Sequence, residues 1–269
     1  IYYDGTVASD PLNESFISTE AGVNFKSENF AVKANVYNTD WKDRNLTKSV
    51  TTGQGDSGDT DVIFLSGIEQ SHKGLEIEAD TKISDMLSLN AAISLGTWKF
   101  TGDADGNYQE NEYNAEGQVI GLKSTPYTYA LDGLNVGDMP QTAYIVGATL
   151  TPVKGLKVAG IYRMYDNNYS DWSPDAREVK SGKEPDRDQV WMAPAYNKLD
   201  LHAAYTLPIS GYNVTLTGHV FNALDEVFVQ DAVDHSQYNS YGTKAHLAHN
   251  AEVFLGTPRS FNLGLSVNF

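Results

Sequence analysis

The sequence predicts an all-β protein, an antiparallel transmembrane β-barrel, and three observations carry the prediction. Apolar and polar residues alternate with period two in segment after segment. In "GTPRSFNLGLSVNF", Phe261, Leu263, Leu265, Val267 and Phe269 oppose Ser260, Asn262, Gly264, Ser266 and Asn268. Several segments run past the ~5–6 residues of an ordinary strand, as tilted membrane-spanning strands of ~9–11 residues must. The connections alternate between tight turns and long polar stretches, which is how outer-membrane barrels divide their two ends.

Strands at about 15–27 and 29–46 flank the tight turn "KSEN". The third and fourth, at about 67–83 and 87–101, meet at "SDM" and alternate most cleanly. In "GLEIEADTKI", Leu75, Ile77, Ala79, Thr81 and Ile83 oppose Glu76, Glu78, Asp80 and Lys82. In "LSLNAAISLG", Leu87, Leu89, Ala91, Ile93 and Leu95 oppose Ser88, Asn90, Ala92, Ser94 and Gly96. The segments at about 140–152 and 156–170 join at "VKG", those at about 196–207 and 213–223 join at "PISGY", and a ninth covers about 258–269. Between hairpins lie the long stretches 47–66, 102–139, 171–195 and 224–257, rich in Gly, Asp and Asn. The first strand therefore runs from the long-loop end to the turn end, where Phe269 also finishes. Nine is odd, whereas single-chain bacterial barrels have even strand numbers. "IYY" therefore reads as the tail of a preceding strand, and 1–269 as the C-terminal part of a barrel domain, some ~9–10 strands of it.

Composition agrees. Among 269 residues 41% are hydrophobic and 20% charged, with no apolar run long enough for a spanning helix. A barrel hides its membrane signal in alternation, so a mean hydropathy of -0.39 is no objection. The net charge of -16 argues against nucleic acid, whose phosphates demand clustered Lys and Arg. The absence of Cys excludes disulfides and thiolate metal sites. The opening "IYYDGTVASD" contains no signal-peptide pattern.

No catalytic constellation stands out, so no enzyme is expected. Glu76, Glu78 and Asp80 occupy the polar face of a regular strand and read as solvated lumen groups. "DADGN" opens like a calcium loop, but position twelve from Asp103 is Asn114 rather than the bidentate Glu, so a solvated turn is expected. His235, His246 and His249 share one long stretch at loose spacing and read as ordinary loop histidines, with haem ligation the alternative. No metal or cofactor site is expected.

Parity places Phe25, Tyr205 and Phe269 toward lipid near the short-turn end, where an aromatic girdle belongs, and leaves Tyr144 to either girdle. By the same count Trp41, Trp98, Phe100, Tyr165 and Tyr169 face the lumen near the long-loop end. There they pack against loops or a plug, or offer a stacking surface to a sugar, peptide or aromatic chelate.

Four stretches resemble the C-terminal barrel half of TonB-dependent outer-membrane receptors. "SHKGLEIEADTKI" is similar to a family strand with a Gly before an alternating acidic run. "GDMPQTAYIVGATLTPVKGLKVAGIYRMYDNNYSD" resembles a Pro-initiated hairpin with a Tyr-rich upstroke. "YNKLDLHAAYTLPISGYNVTLTGHVFNALDEVF" resembles the penultimate hairpin, with Asn222-Ala223-Leu224-Asp225 where the family tends to have an Asn-Leu-Phe-Asp-like sequence. "GTPRSFNLGLSVNF" resembles the closing strand, with Pro258-Arg259 before it and Phe269 last.

The resemblance implies a 22-stranded barrel with an N-terminal plug, energised by TonB to import a siderophore, cobalamin, haem, glycan or peptide across the outer membrane of a Gram-negative cell. Neither plug nor TonB-binding segment is visible within 1–269. Further implied partners are outer-membrane lipid, the barrel assembly machinery reading Phe269 as its signal, and a surface lipoprotein. A passive porin-type channel and a soluble or surface β-sheet binding module remain the alternatives.

Overall fold

Period-two alternation folds here into a meander. The computed structural model describes residues 13–51, 60–209, 211–236, 239 and 245–268. In chain order it forms β1 (Ser15–Lys26), β2 (Phe30–Thr51), β3 (Thr60–Lys82), β4 (Leu87–Phe100), β5 (Ala104–Tyr113), β6 (Val119–Tyr129), β7 (Pro140–Val153) and β8 (Leu156–Tyr169). There follow a single helical turn α1 (Pro174–Arg177), β9 (Met192–Ala193), β10 (Tyr196–Leu207), β11 (Asn213–Phe221), β12 (Val229–Val233), β13 (Glu252–Leu255) and β14 (Ser260–Asn268). Nine of these make one antiparallel path, β1-β2-β3-β4-β7-β8-β10-β11-β14, and they are the nine strands that the alternation predicts. The barrel is not closed, since β1 and β14 each pair on one side among the described residues.

Register keeps each parity class on one face across the sheet. Ala34, Ile77, Ile93, Tyr144 and Met164 form one cross-strand row. Leu87, Leu150, Val158, Ala203, Gly218 and Leu263 form another. This face stays open, with Val23 at 73% and Leu263 at 87% exposure. Such a continuous apolar surface is unfavourable in water and is satisfied by acyl chains. Phe25 and Phe30 meet near the turn end with ring centres 6.5 Å apart, and Tyr205 lies at the same end. Tyr144 lies on the same apolar face, directly opposite Ile93. Phe269 lies outside the described residues.

The other face is polar and is covered at the loop end, where Gln70, Phe100, Gln141 and Asp200 are buried on it. It is therefore the lumen face.

The long connections differ from the expectation of irregular loops. The stretch 47–66 carries strand pairing as far as Thr51↔Thr60, so β2 and β3 reach 22 and 23 residues. The β5–β6 hairpin fills much of 102–139 and pairs with β3, α1 and β9 occupy parts of 171–195, and β12–β13 forms a second hairpin within 224–257. Beyond the bilayer a strand has no lipid face to satisfy, and its alternation fades while its ladder persists.

Candidate functional site

At the loop end of the lumen face, register brings aromatic and polar side chains into rows. Trp41, Gln70 and Phe100 are aligned across β2, β3 and β4, as are Thr39, His72 and Trp98, and then Tyr37, Gly74 and Gly96. The two glycines make the last row possible. A Cβ at Gly74 would come within 2.4 Å of the Tyr37 hydroxyl, and one at Gly96 within 2.9 Å of Trp98 Nε1. Both rings lie over bare backbone and meet, with the Trp98 indole N–H donating to the Tyr37 hydroxyl at 2.9 Å. His72 stands 5.5 Å from Trp98, ring centre to ring centre. Where the β4–β7 ladder stops, the Gln141 amide stands in for backbone, accepting from Trp98 N at 2.9 Å and donating to Trp98 O at 3.1 Å.

The five predicted lumen aromatics all lie on this face, but they divide into separate environments. Trp41 donates to Glu14 at 3.1 Å and carries the Arg44 guanidinium 4.4 Å above its ring, a cation–π contact beside the lumen. Trp98 belongs to the Tyr37–His72 group. Tyr165 lies 5.0 Å from Tyr196, which stacks on Phe228 at 4.3 Å. Phe100 is buried and Tyr169 half-buried against a loop core that includes Ile63, Leu65, Ile68, Tyr129 and Trp172. These last two rings serve the roof of the site, while Trp41, Trp98 and Tyr165 stay partly open. Parity counting reached these five and missed Tyr37, His72, Tyr196 and Phe228. Tyr37 shares the parity of Trp41 on one strand and could have been found by the same count.

A cavity of about 80 Å³ lies between this wall and the roof, lined by Arg44, Lys48, Gln70, Phe100, Asp138 and Trp172 among others. Lys48 pairs with Asp171 and sits 5.1 Å over the Trp172 ring. Burial, with Asp171 and Asp231 alongside, pushes the Asp138 carboxyl up to about 6. Gln70 Nε2 is buried with no hydrogen-bond partner among the described residues, so the cavity presents an unsatisfied donor.

The roof is braced by charge. Arg177, 1% exposed, donates to the Asp186 carbonyl at 3.1 Å and lies 3.4 Å from His246 Nδ1, with Asp234 Oδ2 at 3.9 Å. His246 lies between Asp234 and Asp186. The hydrogen bond to Asp234 holds its pKa above the ordinary histidine value, against burial and Arg177. Of the three loop histidines, His235 and His246 stand 6.2 Å apart, ring centre to ring centre, but His246 is committed to two carboxylates and His249 is exposed. Asp103, the first residue of the calcium-like stretch, is clasped by Arg187 at 2.9 and 2.7 Å and accepts from the amides of Leu131 and Asp132. Arg187 holds that carboxyl below its usual range.

Two motifs singled out in the sequence touch each other. Asn222, buried at φ 47°, accepts from Glu226 N at 3.1 Å and donates to the Glu226 and Thr257 carbonyls. Asp225 then accepts from Arg259 N at 2.9 Å. The Asn222–Asp225 turn therefore clasps Pro258-Arg259 and sets the entry of β14. On the adjoining wall Arg163 pairs with Asp200, which also accepts from Asn222 N at 2.8 Å.

A family description, TonB dependent receptor-like, beta-barrel, matches residues 2–223. Among solved structures the chain is similar to the closed form of the ferric-catecholate import receptor Fiu from E. coli K12, at 12% identity and a TM-score of 0.51, over 94% of this chain and 27% of that one. It is also similar to the copper transporter OprC, at 14% identity and a TM-score of 0.54, over 99% of this chain and 33% of that one. The chain thus spans 27% and 33% of the length of these two structures, and at such identities the likeness speaks for the fold. No curated protein matches the chain.

Proposed function

Since the chain belongs to the TonB-dependent receptor-like β-barrel family, we propose that it forms part of an outer-membrane receptor that captures a nutrient ligand at its loop end and passes it inward. The observation that carries this reading is the pairing of two faces on one sheet. One face is a continuous exposed apolar belt, and the other is a polar wall whose loop end is lined with partly open aromatic rings under a braced roof. The belt suits outer-membrane lipid and the mouth suits a ligand with flat or apolar surface.

Trp41 with Arg44, Trp98 with Tyr37 and His72, and Tyr165 with Tyr196 are the proposed ligand contacts. Rings of this kind stack on sugars, peptides or aromatic chelates, and Arg44 adds attraction for an anion. Phe100 and Tyr169 hold the roof against the wall. Energy coupling is assigned to a plug and TonB, insertion to the barrel assembly machinery, and capture from outside is shared with any surface lipoprotein.

The test is a panel of ferric siderophores, cobalamin, haem, oligosaccharides and peptides, screened against the full-length protein in detergent by tryptophan fluorescence and thermal shift. A ligand that binds should lose at least tenfold in affinity in Trp98→Ala or Tyr165→Ala. A ligand bound equally by Trp41→Ala, Trp98→Ala and Tyr165→Ala would remove the mouth aromatics from the site.

A further inference from the structure

His202 on β10 and His219 on β11 are directly opposite in the ladder, on the lumen face, while their neighbours Leu201 and Val220 pair on the apolar face. Their Nδ1 atoms lie 2.8 Å apart, with ring centres 5.1 Å apart. Phe221 flanks both imidazoles, stacked on His219 at 6.0 Å and 20° and edge-on to His202 at 5.7 Å. Strand pairing alone does not require this. Two neutral imidazoles can share such a contact only when one Nδ1 carries the hydrogen and the other accepts it. A metal ion between them removes that constraint, because both nitrogens then act as donors of electron pairs.

We propose that His202 and His219 form a binding site for a divalent transition-metal ion on the lumen wall, with Cu2+ the best fit. Two imidazole nitrogens bound to one metal at about 2.0 Å and at right angles to each other lie about 2.8 Å apart, whereas a tetrahedral ion holds them about 3.3 Å apart. The Nδ1 separation of 2.8 Å is that of a hydrogen bond between the two rings, and it brings both nitrogens within reach of one ion in either arrangement. Imidazole nitrogen suits Cu2+, Ni2+ and Zn2+, and Cu2+ binds the most tightly of these.

The surroundings favour a nitrogen site over a hard-cation site. Asp200, two residues from His202 on the same face, is already engaged by Arg163 and by Asn222 N. Calcium and magnesium demand several oxygen ligands, which this patch does not gather. Phe221 packs beside both imidazoles, an apolar neighbour of the kind that tunes metal sites. The remaining coordination positions face the lumen and are open to water or to donor atoms of a ligand. The site goes beyond the uptake reading and holds for any cargo of the receptor.

The experiment uses the full-length protein in detergent, purified without a polyhistidine tag. Cu2+ is titrated into the parent and into the double variant His202→Gln/His219→Gln, with retained folding checked by heat-modifiable gel mobility. The parent should bind one more Cu2+ per chain than the double variant, with an electron paramagnetic resonance signal of a tetragonal ion split by two imidazole nitrogens. Either single variant should weaken that site by at least tenfold. Equal stoichiometry and equal nitrogen splitting in parent and double variant would overturn the proposal and leave the pair as a hydrogen bond. A second measurement needs no variant. Ni2+ or Cu2+ should protect His202 and His219 of the parent from diethyl pyrocarbonate while the exposed His249 is still modified, and absence of that protection would equally overturn it.

Discussion

Tyr37 and Trp98 stand two strands apart and still share a hydrogen bond of 2.9 Å, because the strand between them passes beneath their rings as Gly74. This is a device for tying three strands together on a face that offers little apolar area. A Cβ at Gly74 would fall 2.4 to 2.6 Å from three atoms of the Tyr37 ring. Gly74→Ala must therefore expel the ring, at a cost of about 1–3 kcal/mol typical of overpacking. Tyr37→Phe removes only the hydrogen bond, about 1 kcal/mol. Unfolding midpoints of the refolded protein in detergent should follow that order. Tyr37→Ala combined with Gly74→Ala should cost less than the sum of the singles. Strict additivity would show that ring and glycine are not coupled.

Ile93 and Ser94 are neighbours in the chain and point to opposite faces of β4, Ile93 opposite Tyr144 and Ser94 opposite Ala143. Arginine near the bilayer midplane costs roughly 2–4 kcal/mol on the lipid face and far less in the lumen. Ile93→Arg should therefore reduce the yield of folded protein in lipid vesicles much more than Ser94→Arg. Equal losses would contradict the assignment of faces.

His246 links two loop segments through Asp234 and Asp186, and its pKa in the folded protein lies above the ordinary value of about 6.5. The stabilisation from the charged imidazole is then fully present below that ordinary value and is lost as pH rises through the folded pKa. Hydrogen exchange in α1 and β12, corrected for intrinsic rates, should become faster as pH climbs from about 6.5 toward 9. The Asp138 carboxyl, raised to about 6, has largely ionised by pH 7 and contributes little to that interval. His246→Gln should abolish the dependence. A parent protein whose loop protection is flat over this range would remove His246 as the titrating brace.

Phe269 is the proposed assembly signal. Losing one interfacial ring costs about 1.5–3 kcal/mol, too little to unfold a long-laddered sheet. Deletion of Phe269 should sharply lower the amount of protein reaching the outer membrane in cells while leaving the detergent-refolded protein nearly as heat-resistant as the parent. Normal insertion in cells would dispose of the signal.

The sheet was legible because lipid imposes alternation over whole strands, so all nine path strands and the lumen parity of Trp41, Trp98, Phe100, Tyr165 and Tyr169 could be counted from the residues. The count failed where the backbone breaks period. Asp43 at φ 56° and the register shifts between Trp41 and Leu46 interrupt β2, and Gly67 at φ 68° interrupts β3, so β2 reads as ending early and β3 as starting late. In β5 the residues "ADGNYQENEY" carry no apolar stripe, and the hairpin is held by its ladder to β6 and β3. The brace of Arg177, Asp186, Asp234 and His246 leaves no local trace because its members meet across 69 residues of chain. Parity also cannot tell depth, which is why Phe100 under the roof and Trp98 beside the lumen looked alike.

The meander has a consequence for the order of events in folding. Along the path each strand pairs with its chain neighbour across a tight turn or one excursion, so the sheet can grow by adding hairpins, with little loop-closure entropy at each step. The roof obeys different kinetics. Its core joins Ile63, Leu131, Trp172 and Val190 from three separate excursions to Phe100 at the end of β4, and can close only once β3, β4, β7 and β8 are aligned beneath it. Pulse-labelled exchange during refolding should therefore protect the amides of β7 and β8 before those of β12, and simultaneous protection would contradict the sequence. On this order the mouth is the last part to acquire its shape, and an assembly halted late would be a finished wall without its roof.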